Sequence, residues 1–287
     1  MSNRREIVNQ PEPFVDIHCH LLPGLDDGAA TLDDAFAMAE MAVADGIGTI
    51  VATPHQLGNH AKNSGENIRA ATAQFQQFLD RRRVPLRVLP GADVRIEPDL
   101  VRKIRIGEVL TLANRRRHVL LELPHEVYVP LDRLLAELGS ANLIGVLSHP
   151  ERNRGILNRP NVLRPLVDRG CLLQVTAGSL MGTFGPQVMR FSEFLIEQGL
   201  VHFISTDAHG TKARPPLLNA AFQRITELVG RQTAVNLCCR HPATVANGGT
   251  VSPGCQHSAK STWTEWLRQT LCSRTCNHRT DIVETCR

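Results

Sequence analysis

The sequence predicts an α/β fold, namely a distorted seven-stranded parallel (β/α)7 barrel of the TIM-like type with a C-terminal extension. Short apolar runs rich in valine, isoleucine and leucine alternate with longer amphipathic runs along most of the 287 residues. Such short runs are typical of strands buried on both faces, and their alternation with helices indicates a parallel sheet. So regular an alternation over this length fits a closed or nearly closed barrel. The periodicity alone also allows an open, doubly wound sheet.

The predicted strands follow one another at intervals that leave room for a helix after most of them. They cover residues 14–18, 49–52, 86–89, 119–121, 143–147, 172–175 and 202–204. Amphipathic helices are predicted at residues 32–44, 66–82, 131–138, 162–168, 188–197 and 217–229. The first helix has the clearest limits, because Thr31 is a favourable N-cap and Gly46 follows its end.

The chain is predicted to consist of an N-terminal tail, one barrel domain and an extension. The tail covers residues 1–12, the barrel residues 13–248 and the extension residues 249–287. The extension is polar, contains no further strand–helix unit and is expected to be poorly ordered. Its tryptophans could contact a membrane surface or a partner, and its cysteines form only a weak zinc pattern. These residues are Trp263, Trp266, Cys272, Cys276, His278 and Cys286.

Composition and charge argue against several classes of protein. Apolar residues make up 42% and charged residues 21%, as in ordinary globular chains, so global disorder is not expected. No apolar run approaches the roughly 18 residues of a membrane span, and no secretion signal is recognisable at the N-terminus. The net charge of +4 comes without a dense basic block, so nucleic acid binding is not indicated. The eight cysteines lack the paired spacing of a zinc site, and a cytoplasmic location that keeps them reduced is predicted.

The first predicted strand ends with two histidines that face the same way. Residues two apart on a strand share a face, so His18 and His20 project together while Cys19 projects to the opposite side. Cys19 is therefore expected to be a small core residue. Two convergent imidazoles are typical of a metal site, although such a pair alone is also compatible with a structural role.

Further candidate ligands lie at or just beyond the ends of the later strands. In a parallel barrel the carboxyl ends of the strands meet at one rim, where catalytic residues lie. The nine side chains predicted at this rim are His18, His20, Asp27, His55, Asp93, Glu122, His149, Asp207 and His209. Unpaired carboxylates are costly to bury, so this number of acids indicates bound cations. Imidazole and carboxylate without thiolate suit manganese, iron or zinc, and this set suffices for two or three ions.

Two arginines are predicted to complete the rim. Arg152 follows His149 by three residues, and Arg214 lies shortly after the Asp207-Ala208-His209 segment. A guanidinium group is always charged and matches two phosphate oxygens, so arginines beside divalent cations predict a phosphoester substrate. None of the eight cysteines has an arginine six residues after it, so the pattern of cysteine-dependent tyrosine phosphatases is absent.

The other histidines match no rim position and are expected on the surface or in the core. They are His60, His118, His125, His202, His241, His257 and His278. Tyr128 lies beyond the strand of Glu122 and could stack on a substrate ring at the mouth of the site, although a plain loop aromatic is equally compatible.

In combination and order, these motifs resemble the PHP (polymerase and histidinol phosphatase) superfamily. They are His18-Cys19-His20, Asp26-Asp27-Gly28, Thr53-Pro54-His55, His149-Pro150-Glu151-Arg152 and Asp207-Ala208-His209. The opening segment and Arg214-Pro215-Pro216 are similar to one branch, the capsule-type, manganese-dependent bacterial protein tyrosine phosphatases. The resemblance covers residues 14–247 and implies a distorted seven-stranded barrel with a trinuclear metal centre. It also implies dephosphorylation of the tyrosine-rich tail of an autophosphorylating kinase that regulates exopolysaccharide assembly.

The resemblance further implies a role for each rim residue. All nine His, Asp and Glu residues named above would be metal ligands, and Arg152 and Arg214 would hold the phosphate. Asp207 would also take part in catalysis, as one of two candidate donors of a proton to the leaving group. One position departs from the family, which usually has glutamate where this chain has Asp93. The side chain of Asp93 is one methylene shorter, so a carboxylate shared by two metal ions would need a backbone shift at this position or would lose one of its bonds.

Two other functions stay open at the level of the sequence. A PHP phosphoesterase acting on a small molecule, such as histidinol phosphate or a nucleotide, would use the same metals and arginines. A regulatory binding protein with little catalysis would keep the barrel and use the extension for contacts. Short rim loops favour a phosphotyrosine protein as the substrate, since a metabolite site is usually covered by longer loops.

Overall fold

The protein alternates strands and helices over the residues that the computed structural model describes, 12–255. The strands are β1 (Phe14–Cys19), β2 (Ile47–Ala52), β3 (His55–Gln56), β4 (Arg87–Pro90), β5 (Asp93–Arg95), β6 (His118–Glu122), β7 (Ile144–Ser148), β8 (Leu172–Thr176) and β9 (Phe203–Ser205). The helices are α1 (Leu32–Ala44), α2 (Gly65–Arg82), α3 (Leu100–Arg105), α4 (Asp132–Ser140), α5 (Arg154–Asn158), α6 (Leu163–Asp168), α7 (Ala177–Leu180), α8 (Pro186–Glu197), α9 (Asn219–Val229), α10 (Arg231–Val235) and α11 (His241–Ala246). Short 3-10 turns cover Leu112–Asn114, Pro150–Arg152 and Pro160–Val162, and a π-helical turn covers Asn236–Arg240.

The predicted helices are present with ends shifted by a few residues. Thr31 caps α1 as predicted, since its hydroxyl accepts from the backbone N–H of Asp34 while the Asp34 carboxylate accepts from the N–H of Thr31. The helices that the periodicity missed, α3, α5, α7, α10 and α11, have four to six residues each. Such segments are too short to show a helical repeat in the sequence.

All seven predicted strands are present, but the second and third bend and continue as short second segments. Strand β3 continues β2 beyond Pro54, and β5 continues β4 beyond Gly91. Pro54 offers no N–H to the sheet at the first bend, and glycine is required at the second because a Cβ at Gly91 would lie 2.7 Å from Val51 Cγ1. Nine segments therefore occupy seven strand positions, and His55 and Asp93, expected just after strands, lie within β3 and β5.

The strands pair in parallel throughout and the sheet curls until its two ends meet. The hydrogen-bonded orders are β1-β2-β4 and β3-β5-β6-β7-β8-β9, joined through the bent strands. Beyond the last strand, the Asp207 N–H donates to His18 O at 2.7 Å and the His20 N–H donates to Ala208 O at 2.9 Å. These bonds join β1 to the end of β9, so the architecture is the distorted barrel and not the open, doubly wound alternative.

A shift in register sets the direction of the side chains of β1. Val15 and Ile17 face the interior of the barrel, and the pairing of β1 with β2 slips between Asp16 and Cys19. Beyond the slip Cys19 packs in the outer core under the helices, as predicted. Irregular pairing of this kind re-aims side chains near active sites.

Two apolar cores lie on the two faces of the sheet. Residues inside the barrel, among them Leu120, Val146 and Phe203, form the inner core, and alternate residues such as Leu121 and Leu147 pack under the helices. The lower end of the barrel is closed by Leu112, Ala113, Val245, Ala246 and Val251. Residues two apart on a strand share a face, so Glu122, two residues after the inner residue Leu120, faces the interior at the upper rim.

The first residues of the predicted extension pack against the barrel. Val251 is buried in the inner core, and Gly254 O lies 3.1 Å from His202 Nε2. The predicted boundary at residue 248 thus stays a prediction, while Trp263, Trp266, Cys272, Cys276, His278 and Cys286 lie outside the described residues. Within residues 12–255, no helix has the length and hydropathy that a membrane crossing requires.

One buried histidine at the lower end of the barrel makes stability depend on pH. His118 begins β6, is 1% exposed, and neither ring nitrogen has a hydrogen-bond partner within residues 12–255. Burial lowers the pKa of His118 to about 4, with a smaller contribution from Arg117. Between about pH 6.5 and pH 4 the unfolded chain binds a proton at this residue and the folded chain does not, so stability falls as pH falls through that window.

We expect His118→Leu to remove this part of the pH dependence. When the pH is lowered from about 7.5 to about 5, protonation of His118 in the unfolded chain should cost the unmodified protein about 2 kcal/mol of unfolding free energy. The variant lacks this histidine and should not show this loss. Urea unfolding of both metal-free proteins at the two pH values measures this difference, and the other buried histidines cancel in the comparison. Parallel pH profiles for the two proteins would contradict the assignment.

Candidate metal centre

The structure brings all nine predicted rim residues together at the carboxyl ends of the strands. Their ligand atoms form four overlapping groups, in each of which all atoms lie within 4.8 Å of one another. The groups are His20, Asp27, His55 and His209; His18, Asp93 and His149; His18, His20 and Asp207; and His55, Asp93 and Glu122. Four residues, His18, His20, His55 and Asp93, belong to two groups each, so the groups form a continuous ring.

The distances within the groups suit neighbouring ligands of one ion. Asp27 Oδ1 lies 3.4 Å from His55 Nε2 and 3.4 Å from His209 Nε2. His18 Nε2 lies 3.3 Å from His20 Nε2 and 3.3 Å from Asp207 Oδ1. Ligands bound at about 2.1 Å with tetrahedral angles are about 3.4 Å apart, so these spacings fit a divalent cation.

Hydrogen bonds on the far side of each ring hold three histidines in the tautomer that a metal requires. His18 Nδ1 lies 2.9 Å from Gln174 Oε1, and His20 Nδ1 lies 2.6 Å from Asp26 Oδ2. His209 Nδ1 lies 2.9 Å from the backbone oxygen of Asp207. Each partner can only accept, so Nδ1 carries the proton and the lone pair of Nε2 faces the cluster.

Asp93 supplies the strongest sign that the cluster is built for cations. Its side chain is fully buried, and neither carboxylate oxygen has a hydrogen-bond partner among residues 12–255. Burial, followed by the nearby Glu122 and Asp207, raises the pKa of Asp93 well above its usual value. A buried carboxylate without donors is costly unless a positive charge satisfies it, so the donor set fits bound metal ions.

Local backbone conformation aims several of these groups. His149 and Asp207 have positive φ angles of 32° and 50°, a region that costs a non-glycine residue about 1–3 kcal/mol. Gly28 lets the loop that carries Asp26 and Asp27 close over β1, because a Cβ there would collide with His20 O. Strain and close approach of this kind are typical of functional sites.

Arg152 and Arg214 converge on one oxygen at the edge of the cluster. Arg152 Nη2 lies 2.5 Å from Asp207 Oδ2, and Arg214 Nη1 lies 3.1 Å from the same atom. The other oxygen, Oδ1, faces His18 and His20. Burial raises the pKa of Asp207, but His18, Arg152 and the other groups around it outweigh burial and hold the pKa well below its usual value. The carboxylate therefore joins the arginines to the candidate ligands.

The site opens to solvent on the side of Asp27 and Arg214. The Asp27 side chain is 60% exposed, and those of Arg214, His55 and Glu122 are partly exposed. A cavity of about 280 Å³ beside His55 and Glu122 is also lined by His60 and Arg95. A bulky substrate can thus approach the candidate metal centre from this side.

Three residues that support the candidate ligands were not predicted from the sequence. Asp26 and Gln174 position the histidine rings, while Asp16 accepts from Thr206 and the N–H of His18 and so joins β1 to β9. Asp16 and Gln174 could have been recognised from the sequence, because each is a polar residue within an otherwise apolar strand. His60, expected on the surface or in the core, is half-buried and lies beside the rim, with its ring centroid 5.2 Å from that of His55.

The remaining expectations about histidine and tyrosine have mixed outcomes. His118 and His202 are buried core residues, as predicted. Tyr128 packs against the outer core, which favours the plain structural interpretation over stacking on a substrate. His257 and His278 lie outside the described residues.

The comparison with protein families identifies the chain. The family model described as "Capsular polysaccharide synthesis, CpsB/CapC" matches residues 14–247. The chain belongs to the CpsB/CapC family. This span contains all the candidate metal-centre residues, including the arginines.

Relatives of this CpsB/CapC protein carry phosphatase names. It is 41% identical over 203 residues to "Tyrosine-protein phosphatase YwqE" of Bacillus subtilis, covering 70% of this chain and 79% of the relative. It is 26% identical over 235 residues to "Tyrosine-protein phosphatase CpsB" of Streptococcus pneumoniae, covering 80% of this chain and 96% of the relative.

A solved structure also matches the fold. It comes from work described as "Crystal structures of YwqE from Bacillus subtilis and CpsB from Streptococcus pneumoniae, unique metal-dependent tyrosine phosphatases". The TM-score is 0.81 at 35% identity, and the match covers 86% of this chain and 100% of the other.

The contact of Asp26 with His20 leads to a prediction about metal affinity. Asp26→Asn keeps the shape of the side chain but can donate to Nδ1, which would move the ring proton to the nitrogen that faces the cluster. Loss of such a positioning contact typically weakens metal binding about 10- to 100-fold. Titration calorimetry with Mn²⁺ measures the change, and Asp33→Asn on the exposed side of α1 is the matched control. Equal affinities for the two variants would contradict the role of Asp26.

Proposed function

We propose that this protein is a metal-dependent protein tyrosine phosphatase that hydrolyses phosphotyrosine in a protein substrate. The observation that carries the proposal is the convergence of Arg152 and Arg214 on Asp207, at the open edge of a cluster of nine His, Asp and Glu side chains. Guanidinium groups beside divalent cations form a site for a phosphoryl group. The names of the relatives support tyrosine as the phosphorylated residue.

The proposed ligands are the nine residues of the four groups, and the proposed ions are two or three divalent cations. Manganese is the preferred candidate by resemblance to the capsule-type phosphatases, and iron or zinc would suit the same ligands. When bound, such ions supply charge neutralisation and a water acidic enough to act as a nucleophile near neutral pH. Asp93 would contribute a carboxylate to two of the four ligand groups, and it has no hydrogen bond of its own among residues 12–255.

The arginines bind and orient the phosphoryl group in this proposal. Each guanidinium group has five N–H donors and donates one hydrogen bond to Asp207, so further donors can stabilise charge on the equatorial oxygens during in-line displacement. The low pKa of Asp207 keeps it ionised, so it suits an anchor for the arginines better than a proton donor. Phenolate, with a pKa of about 10, leaves without a strong general acid. No covalent phosphoenzyme is required.

The openness of the site favours a protein as the substrate. An exposed Asp27 and a partly exposed Arg214 leave the rim accessible to a peptide chain. The proposed partner is a cytoplasmic tyrosine autokinase, as the resemblance to the capsule-type phosphatases implies, and the family description supports capsular polysaccharide synthesis as the process.

A comparison of substrates tests the proposal. Metal-free protein reconstituted with Mn²⁺ is assayed with a phosphotyrosyl peptide and with histidinol phosphate, and EDTA serves as the control. We expect hydrolysis of the peptide that EDTA abolishes and Mn²⁺ restores. A rate with histidinol phosphate equal to or above the peptide rate would favour the small-molecule phosphoesterase instead, and absence of turnover would favour a binding protein.

A further inference from the structure

A small apolar pocket lies beside the proposed phosphate site, between the loops that follow β8 and β9. Its volume is about 150 Å³. Its apolar wall is formed mainly by Met181, Phe184, Pro215 and Leu217. None of the nine candidate metal ligands lines this pocket.

The pocket shares Arg214 with the groups proposed to hold the phosphate, and its wall contacts Arg152. Arg214 lines the pocket and reaches Asp207 at 3.1 Å. Phe184 also lines the pocket, and its ring centroid lies 4.6 Å from the guanidinium carbon of Arg152. Thr206, directly before Asp207, completes the wall on the barrel side. A phosphoryl group held by the two arginines would therefore have the apolar pocket beside it.

The edge of the pocket exposes apolar side chains that would otherwise be expected in a core. Met181 is 52% exposed and Leu217 is 40% exposed, and both line the pocket. Exposed apolar side chains gathered around a concavity next to polar groups are typical of a ligand site.

We propose that this pocket binds the aromatic ring of the substrate's phosphotyrosine and gives the enzyme its preference for aryl over alkyl phosphates. The inference rests on the proposed phosphatase function and adds a subsite to it. An apolar cavity of about 150 Å³ is large enough to hold benzene. The flat ring contacts the apolar wall while its phosphate reaches the arginines, whereas phosphoserine has no group to fill the pocket. Apolar burial in such a pocket contributes about tenfold or more in affinity.

Binding of two phosphonates tests the inference without turnover. Benzylphosphonate has a CH₂ group in place of the ester oxygen of phenyl phosphate, and methylphosphonate lacks the ring. We expect the Mn²⁺-loaded protein to bind benzylphosphonate about tenfold more tightly than methylphosphonate in titration calorimetry. Met181→Asn and Leu217→Asn should each reduce this preference, and the double variant should abolish it while leaving methylphosphonate affinity unchanged. Met181→Leu should retain it.

Ile106→Asn is the matched control, because Ile106 is 62% exposed and lies outside the pocket. The control should keep the aromatic preference. An unchanged preference in the double variant would overturn the inference, as would equal affinities for the two phosphonates in the unmodified protein. The inference would also be overturned if the double variant lost affinity for phosphotyrosyl peptides but bound benzylphosphonate as before. The pocket would then bind a neighbouring residue of the peptide. Failure of the unmodified protein both to bind methylphosphonate and to hydrolyse the peptide would overturn the phosphatase proposal itself.

Discussion

Replacing Asp93 with asparagine is expected to lower phosphatase activity by about 10³-fold or more, because metal-ion stabilisation worth several kcal/mol would be lost. Asp93 belongs to two of the four ligand groups, so one substitution removes negative charge from both. The metal-free variant should be at least as stable as the unmodified protein, since an amide costs less to bury than a carboxylate. Activity, metal content and the shift in Tm on addition of Mn²⁺ provide three separate readouts.

Asp93→Glu is the matched control for this experiment. It keeps the carboxylate and lengthens the side chain by one methylene group, so metal binding should be retained. The assignment of Asp93 to the metal centre fails if the asparagine variant keeps full metal content and the same Tm shift. A variant that is simply unfolded is recognised by its circular dichroism before metal is added.

Replacing Arg152 with alanine is expected to lower kcat by about 10²- to 10³-fold, the usual effect of removing a group that stabilises charge in the transition state. Arg152 lies 2.5 Å from Asp207 and packs its guanidinium over Phe184, so its position is fixed before substrate binds. Inhibition by inorganic phosphate should also weaken, because the same guanidinium would hold the product. Steady-state kinetics with a phosphotyrosyl peptide separates the effects on kcat and KM.

Arg154→Ala provides a control of the same type two residues away. The Arg154 side chain is 70% exposed and pairs with Glu126 on the surface, where ion pairs contribute little. Its kinetics should match those of the unmodified protein. Equal kcat values for the two alanine variants would remove Arg152 from the proposed phosphate site.

The gathering of the rim residues could be predicted from the sequence because it follows from topology. Parallel strands bring their carboxyl ends to one side, so residues as distant as His18 and His209 had to meet once the alternation of strands and helices was recognised. The separation of Cys19 from His18 and His20 followed from the two-residue repeat of a strand. Which of the two sides faces the interior depends on the slip in the pairing of β1 with β2, because Val15 and Ile17 lie in the inner core whereas Cys19 lies in the outer core, and the pattern did not indicate the slip.

The supporting contacts could not be predicted because they depend on local backbone angles. Asp26 and Asp27 are adjacent acids in one loop, and only the loop closure at Gly28 decides that Asp26 is directed to the far side of His20. His60 lies next to His55 because of a short turn after β3, which no periodic pattern marks. The kinks that create β3 and β5 depend on Pro54 and Gly91, whose effect on the strands became clear only in three dimensions.

The hydrogen bonds between His18 and Asp207 and between His20 and Ala208 join the beginning of the barrel to its end. On a ribosome, β1 emerges long before β9, so residues of the same candidate ligand group are separated by most of the synthesis of the domain. A nascent chain that stops before Asp207 carries several histidines and acids but lacks the residues that complete three of their contacts. The contacts that close the barrel therefore form late in synthesis, and a prematurely terminated chain would lack the residues that close it.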